Sequence, residues 1–127
     1  MNENEIATII VDAAFKIHKT LGPGLLESVY EAALKYELQK RGLKVLHQLG
    51  IPLAYEGLDL GIAFRADLVV GDKVVIEIKS IEALAGVHGK QLATYLRLMD
   101  LRLGLLINFN VELIRDGIRR VVNRLVE

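Results

Sequence analysis

The sequence predicts a mixed α/β domain, an antiparallel-rich sheet flanked by helices, and three observations predict it. Apolar residues recur at helical spacing before residue 42 and again from Gly86 to about Met99. Residues 43 to 80 change to short, branched-rich runs separated by glycines. A continuous apolar run, Leu103 to Phe109, follows the later helical stretch. The order helices, several strands, helix, strand describes a mixed sheet rather than a repeating βαβ ladder.

The first helix is carried by Ile6, Ile9, Ile10, Ala13, Ala14 and Ile17, which recur every three or four residues and share one buried stripe. Asn4 is expected as its N-cap. Gly22-Pro23-Gly24 breaks the pattern, since proline lacks the donor a helix needs and glycine loosens the backbone. A second helix is expected from about Leu25 to Arg41, stopped by Gly42. The runs Leu43 to Gln48, Pro52 to Tyr55, Leu58 to Phe64, Ala66 to Val70 and Val74 to Ser80 then read as a meander of short antiparallel strands. In the helix that follows, Leu92, Leu96 and Met99 lie on one face. Leu103 to Phe109 reads as a strand deep in the sheet, and Ile118 to Val122 as a closing strand or turn.

Composition narrows the function. The 127 residues amount to a single domain, and 52% apolar with 25% charged residues can bury a core. Sixteen Lys plus Arg balance sixteen Asp plus Glu, which excludes a polybasic coat but leaves room for a local basic groove. Absence of cysteine excludes disulfides, thiolate zinc sites and cysteine nucleophiles. No apolar run reaches the roughly 18 residues of a membrane span. The acidic start, Met1-Asn2-Glu3-Asn4-Glu5, lacks the basic opening of a secretory signal, so a cytoplasmic protein without membrane partners is expected.

The informative stretch is Asp67 to Lys79, two strands joined by a tight turn. In the second strand Val74, Ile76 and Ile78 point one way, and Val75, Glu77 and Lys79 the other. A two-residue Gly71-Asp72 turn would set Asp67 against Ile76. A three-residue Gly71-Asp72-Lys73 loop, or a bulge, sets it against Glu77 and puts Ala66, Leu68 and Val70 on the apolar side. The second register separates apolar from charged side chains and is the one expected. Asp67 and Glu77 then stand side by side, and like charges that close need a cation. Lys79 supplies one charge; a divalent ion best supplies the rest, and carboxylate oxygens without clustered His or Cys favour Mg²⁺ or Mn²⁺. The bland alternative is a surface Glu–Lys pair of little energetic value, against which the flanking runs Leu68-Val69-Val70 and Val74-Val75-Ile76 argue for a central location.

Two further clusters accompany the hairpin. Gln91 and Tyr95 lie one helical turn apart, with His88 three residues earlier. Glu27 opens the second helix, with Tyr30 and Glu31 on its face. Other motifs fail: no P-loop, no G-x-S-x-G elbow and no H-E-x-x-H is present, and His18, His47 and His88 are too scattered for a cage. Arg115, Arg119, Arg120 and Arg124 make the C-terminal end locally basic, a solvated face or a phosphate path.

Taken together, Gly24-Leu25-Leu26-Glu27-Ser28-Val29-Tyr30, Arg65-Ala66-Asp67, Glu77-Ile78-Lys79 and Gln91-Leu92-Ala93-Thr94-Tyr95 resemble the GxxExxY family of the PD-(D/E)xK nuclease superfamily, from about Ile9 to Val122. The resemblance implies a nuclease-like core of helix, three antiparallel strands, helix and strand. It implies a Mg²⁺ (or Mn²⁺) ion held by Asp67, Glu77 and the main-chain carbonyl of Ile78, with Glu27 completing the shell directly or through water. Lys79 would orient or deprotonate the attacking water, and Gln91 and Tyr95 would position substrate or Lys79. Tyr30, Arg65 and His88 are the positions expected to touch nucleic acid. Ala66 stands where the superfamily has its name-giving proline, which supplies no ligand. The expected activity is phosphodiester hydrolysis of DNA, or less favourably RNA, with a homodimer needed to cut both strands of a duplex. The competing expectation is a silent module of the same fold that binds nucleic acid or a protein partner; other phosphoryl chemistry on the same fold ranks third.

Overall fold

Capping at the first helix begins two residues earlier than expected. In the computed structural model, which describes residues 1–126, helix α1 spans Glu3–Leu21 and is capped by Asn2, whose side chain accepts from Glu5 N–H while Glu5 accepts from Asn2 N–H. Asn4 lies inside the helix instead, because the reciprocal N-x-x-E pair satisfies two end donors and outcompetes it. The apolar stripe buries Ile6, Ala7, Ile10, Ala13, Ala14 and Ile17, with Ile9 at its margin. Helix α2 spans Glu27–Lys40, and Gly42 (φ 87) turns the chain away by bonding back to Gln39. Glu37, buried between the helices, accepts from Lys16 Nζ at 2.9 Å and Arg41 Nε at 3.2 Å, pinning α2 to α1.

The five short runs expected between residues 43 and 80 fuse into three strands: β1 (Val45–Tyr55), β2 (Leu58–Val70) and β3 (Val74–Lys79). Gly50 and Gly61 do not interrupt them, since register shifts near Pro52 absorb the irregularity. The β1–β2 turn is Glu56-Gly57, both residues at positive φ (48 and 83), the two-residue geometry that follows the twist of a hairpin. Beyond Phe64 this hairpin projects from the body as an arm, exposing Tyr55, Leu58, Leu60 and Ile62.

Helix α3 (Gly86–Met99) crosses from β3 to β4 (Leu103–Asn108), which runs parallel to β3; a short 3₁₀ turn (Ile114–Gly117) leads to β5 (Ile118–Val122). The sheet order is β1-β2-β3-β4-β5. One face packs on α1 and α2 through Leu68, Val70, Val74, Ile76, Ile78 and Leu105, while the other packs on α3 through Val69, Val75, Leu92, Leu96 and Leu106. The result is the helix–sheet–helix layering expected of the mixed α/β class. Among the described residues no helix is long and apolar enough to cross a membrane.

The closest approach of helix to sheet is at Gly104, where an added Cβ would meet three Leu92 carbons at 2.8 to 3.0 Å. Leu92 is fully buried and has nowhere to go. Gly104→Ala is therefore expected to cost ~1–3 kcal/mol, read as a lower urea midpoint with an unchanged slope.

Candidate functional site

The β2–β3 loop has the expected three-residue form. The pairs Leu68 with Ile76, Val69 with Val75 and Val70 with Val74 carry one step further to set Asp67 opposite Glu77. The two residues interlock: Asp67 N–H donates to Glu77 Oε1 at 3.3 Å, and Ile78 N–H donates to Asp67 Oδ2 at 2.8 Å. Val75 and Glu77 face the α3 side, as the period of two requires. Ala66 departs from expectation. It packs with Val69 and Val75 on the α3 side rather than with Leu68 and Val70, so the alternation of β2 slips at Asp67. The pairing of β1 with β2 skips Asp67 and its neighbour Gln48, and Gln48 is left-handed (φ 50).

Electrostatics single out Glu77. It is 8% exposed, and burial, reinforced by the charge of Asp67, pushes its carboxyl up to about 8; the bond from Asp67 N–H and the charge of Lys79 pull the other way. Lys79 is half-buried, and its side chain makes no hydrogen bond or ion pair among the described residues. Tyr95 lies within the field of the two acids. Burial first, then Glu77 and Asp67, raises its phenol, and its ring stacks on Phe64 at 3.8 Å.

Glu27, the first residue of α2, reaches the far end of β3, where its Oε2 accepts from Ser80 N–H at 3.2 Å. A cleft of about 620 Å³ opens here between Gly24–Ser28, Ser80 and Asn110. Ser80 Oγ also donates to Leu25 O at 2.6 Å, so the loop before α2 and the segment after Lys79 are tied together.

Tyr30 is fully buried, stacked on Phe109 at 4.4 Å, and its hydroxyl donates to Gly22 O at 2.6 Å and accepts from Leu25 N–H at 3.1 Å. A contact with nucleic acid is closed to it; the residue builds the turn that presents Glu27. His88 Nδ1 accepts from Ala85 N–H at 2.9 Å and caps α3. Arg65 is exposed at the base of the arm, and Gln91 is exposed on α3 one turn before Tyr95.

Sequence reasoning missed a polar network beside Asp67. Glu31, 9% exposed, accepts from His47 Nε2 at 2.6 Å and Gln48 Nε2 at 2.8 Å, and Gln48 Nε2 also reaches Asp67 Oδ1 at 3.2 Å. Burial pushes the Glu31 carboxyl up, opposed by the bond from His47. Asn108, 1% exposed, was missed too: it grips Ile81 through both main-chain groups, at 3.0 and 3.1 Å, and fixes the segment leaving β3. No local spacing marks either network.

Among the described residues no three His, Asp or Glu side chains converge into a ready cage. The donors present still fit a hard divalent ion. Mg²⁺ commonly takes one or two carboxylates and keeps several waters, and a buried acid beside a second acid is the charge imbalance a cation corrects.

A family model described as the PD-(D/E)XK nuclease superfamily matches residues 4–121. Comparison with curated proteins and with solved structures finds no match.

Proposed function

The chain belongs to the PD-(D/E)XK nuclease superfamily, and we propose that it is a divalent-metal-dependent nuclease of the GxxExxY branch, one domain acting on DNA in preference to RNA. The observation that carries this reading is the meeting of Asp67 and Glu77 at the β2–β3 pairing, with Glu77 buried and its carboxyl raised to about 8. For stability alone the pair is a poor choice, since ionising Glu77 beside Asp67 is costly.

In this reading Asp67, Glu77 and the main-chain carbonyl of Ile78 hold Mg²⁺ or Mn²⁺, with Glu27 contributing from α2 directly or through water. When bound, the ion lowers the pKa of a coordinated water and neutralises charge on the phosphate. Lys79, near Glu77 and with a side chain that makes no hydrogen bond or ion pair among the described residues, holds or deprotonates the attacking water and offsets charge on the phosphate oxygens. Tyr95 and Gln91 present a hydroxyl and an amide from one face of α3 toward the substrate side, and Arg65 and His88 flank it. The GxxExxY segment is supported by its local geometry: Gly24 turns at φ 95 and Tyr30 locks the loop so that Glu27 arrives at Ser80.

Lys79→Ala tests the assignment. Cleavage of single- and double-stranded DNA in Mg²⁺ or Mn²⁺ is expected to fall on the order of 10²–10⁴-fold, while Mn²⁺ affinity by calorimetry holds or tightens because a repelling charge is gone. Absence of divalent-ion binding at millimolar metal, or a variant as fast as wild type, overturns the reading. Salt-sensitive DNA binding with no metal dependence and no product points instead to an accessory module.

A further inference from the structure

We propose that Gln48 and Glu31 form an outer clamp that positions Asp67, with Gln48 as the positioning residue; the proposal rests on the reading of Asp67 as a metal ligand. Gln48 Nε2 stands between two carboxylates, 2.8 Å from Glu31 Oε1 and 3.2 Å from Asp67 Oδ1. Only the amide nitrogen can serve both, since each partner offers acceptors alone. Glu31 is anchored in turn: it comes from the buried face of α2, and its second oxygen is taken by His47 Nε2 at 2.6 Å. Both Glu31 oxygens are thus committed to holding β1, and neither is offered to an ion.

The backbone is shaped for this contact. His47 and Gln48 are neighbours in β1, and neighbours in a regular strand point to opposite faces. Here both bond the same carboxylate. The left-handed conformation of Gln48 (φ 50) makes this possible by resetting the alternation, so that Leu46 and Leu49 both pack toward α3. Glycine is the residue that takes that conformation without strain. A strained glutamine at an exposed position is explained by what its amide does, since local strain accumulates where geometry serves function. The clamp fixes Oδ1 of Asp67, Ile78 N–H fixes Oδ2, and the carboxylate is held in one orientation before any ion arrives.

Gln48→Gly separates this role from a structural one, because it relieves the strain while deleting the amide. The melting temperature is expected to hold or rise, Mn²⁺ affinity by calorimetry to fall about 10–100-fold, and the Ile78 amide of the metal-free protein to exchange its hydrogen at least several-fold faster. Gln48→Glu, equal in shape but without the donor, should reproduce both losses. If both variants keep Mn²⁺ affinity and Ile78 exchange within twofold of wild type, the clamp is refuted. If wild type binds no Mn²⁺, the metal reading fails by itself, and Ile78 exchange alone then decides the clamp: faster in both variants upholds it, unchanged refutes it.

Discussion

Glu77→Gln is expected to abolish divalent-metal binding, slow phosphodiester cleavage on the order of 10³-fold, and yet stabilise the metal-free protein at alkaline pH. The first two effects follow from removing one of the anionic donors proposed for the ion. The third follows from the carboxyl standing at about 8 in the folded chain against 4.5 for an ordinary glutamate. Between those values the folded state binds a proton that the unfolded state releases, so the stabilising contribution is complete below about pH 4.5 and is lost as pH rises through 8. At one pKa unit per ~1.4 kcal/mol, the wild-type chain should lose on the order of 5 kcal/mol across that window from this group. Glutamine does not titrate, so the variant's urea midpoint should decline less than the wild type's across this window. The same carboxyl must lose its proton to take an ion, so Mn²⁺ binding by wild type at pH 7 should release close to one proton. Calorimetry in buffers of different ionisation enthalpy reads that number; a midpoint falling equally in both proteins, or binding without proton release, would contradict the electrostatic account.

Tyr30→Ala is expected to cost ~3–5 kcal/mol, among the largest losses any single truncation could cause here. The ring is fully buried and parallel to Phe109 within 5°, so its removal leaves a cavity under the junction of α2 and β4. Tyr30→Phe keeps the ring and isolates the hydroxyl, which serves Gly22 O and Leu25 N–H together. That change should cost ~1–3 kcal/mol and loosen the loop that delivers Glu27, weakening metal affinity as well. A phenylalanine variant with wild-type urea stability and wild-type Mn²⁺ affinity would remove Tyr30 from the site's support.

Where interactions were local in the chain, the sequence was a sound guide. The stripe of α1, the stop at Gly42, the three-residue loop at Gly71-Asp72-Lys73 and the face shared by Leu92 and Leu96 all follow from periodicity or turn chemistry. Errors arose where long-range packing decided the outcome. Gly50 looked like a strand end but sits inside β1, and the break expected at Arg65 lies inside β2, because the partner strand supplies the pairing. Tyr30, expected to touch nucleic acid, is instead buried against Phe109, seventy-nine positions later. Glu31, His47, Gln48 and Asp67 come from three separate segments, and their meeting depends on a left-handed residue at position 48 that no composition or spacing announces.

The β1–β2 arm turns at Glu56-Gly57, well away from the sequence positions that build the acidic pair, and its outer residues face water. Chain added at that tip would displace no core side chain and break no bond that orients Asp67. The arm is therefore where this architecture has freedom to grow, gaining a longer finger or an inserted module while the chemistry beneath it stays as it is.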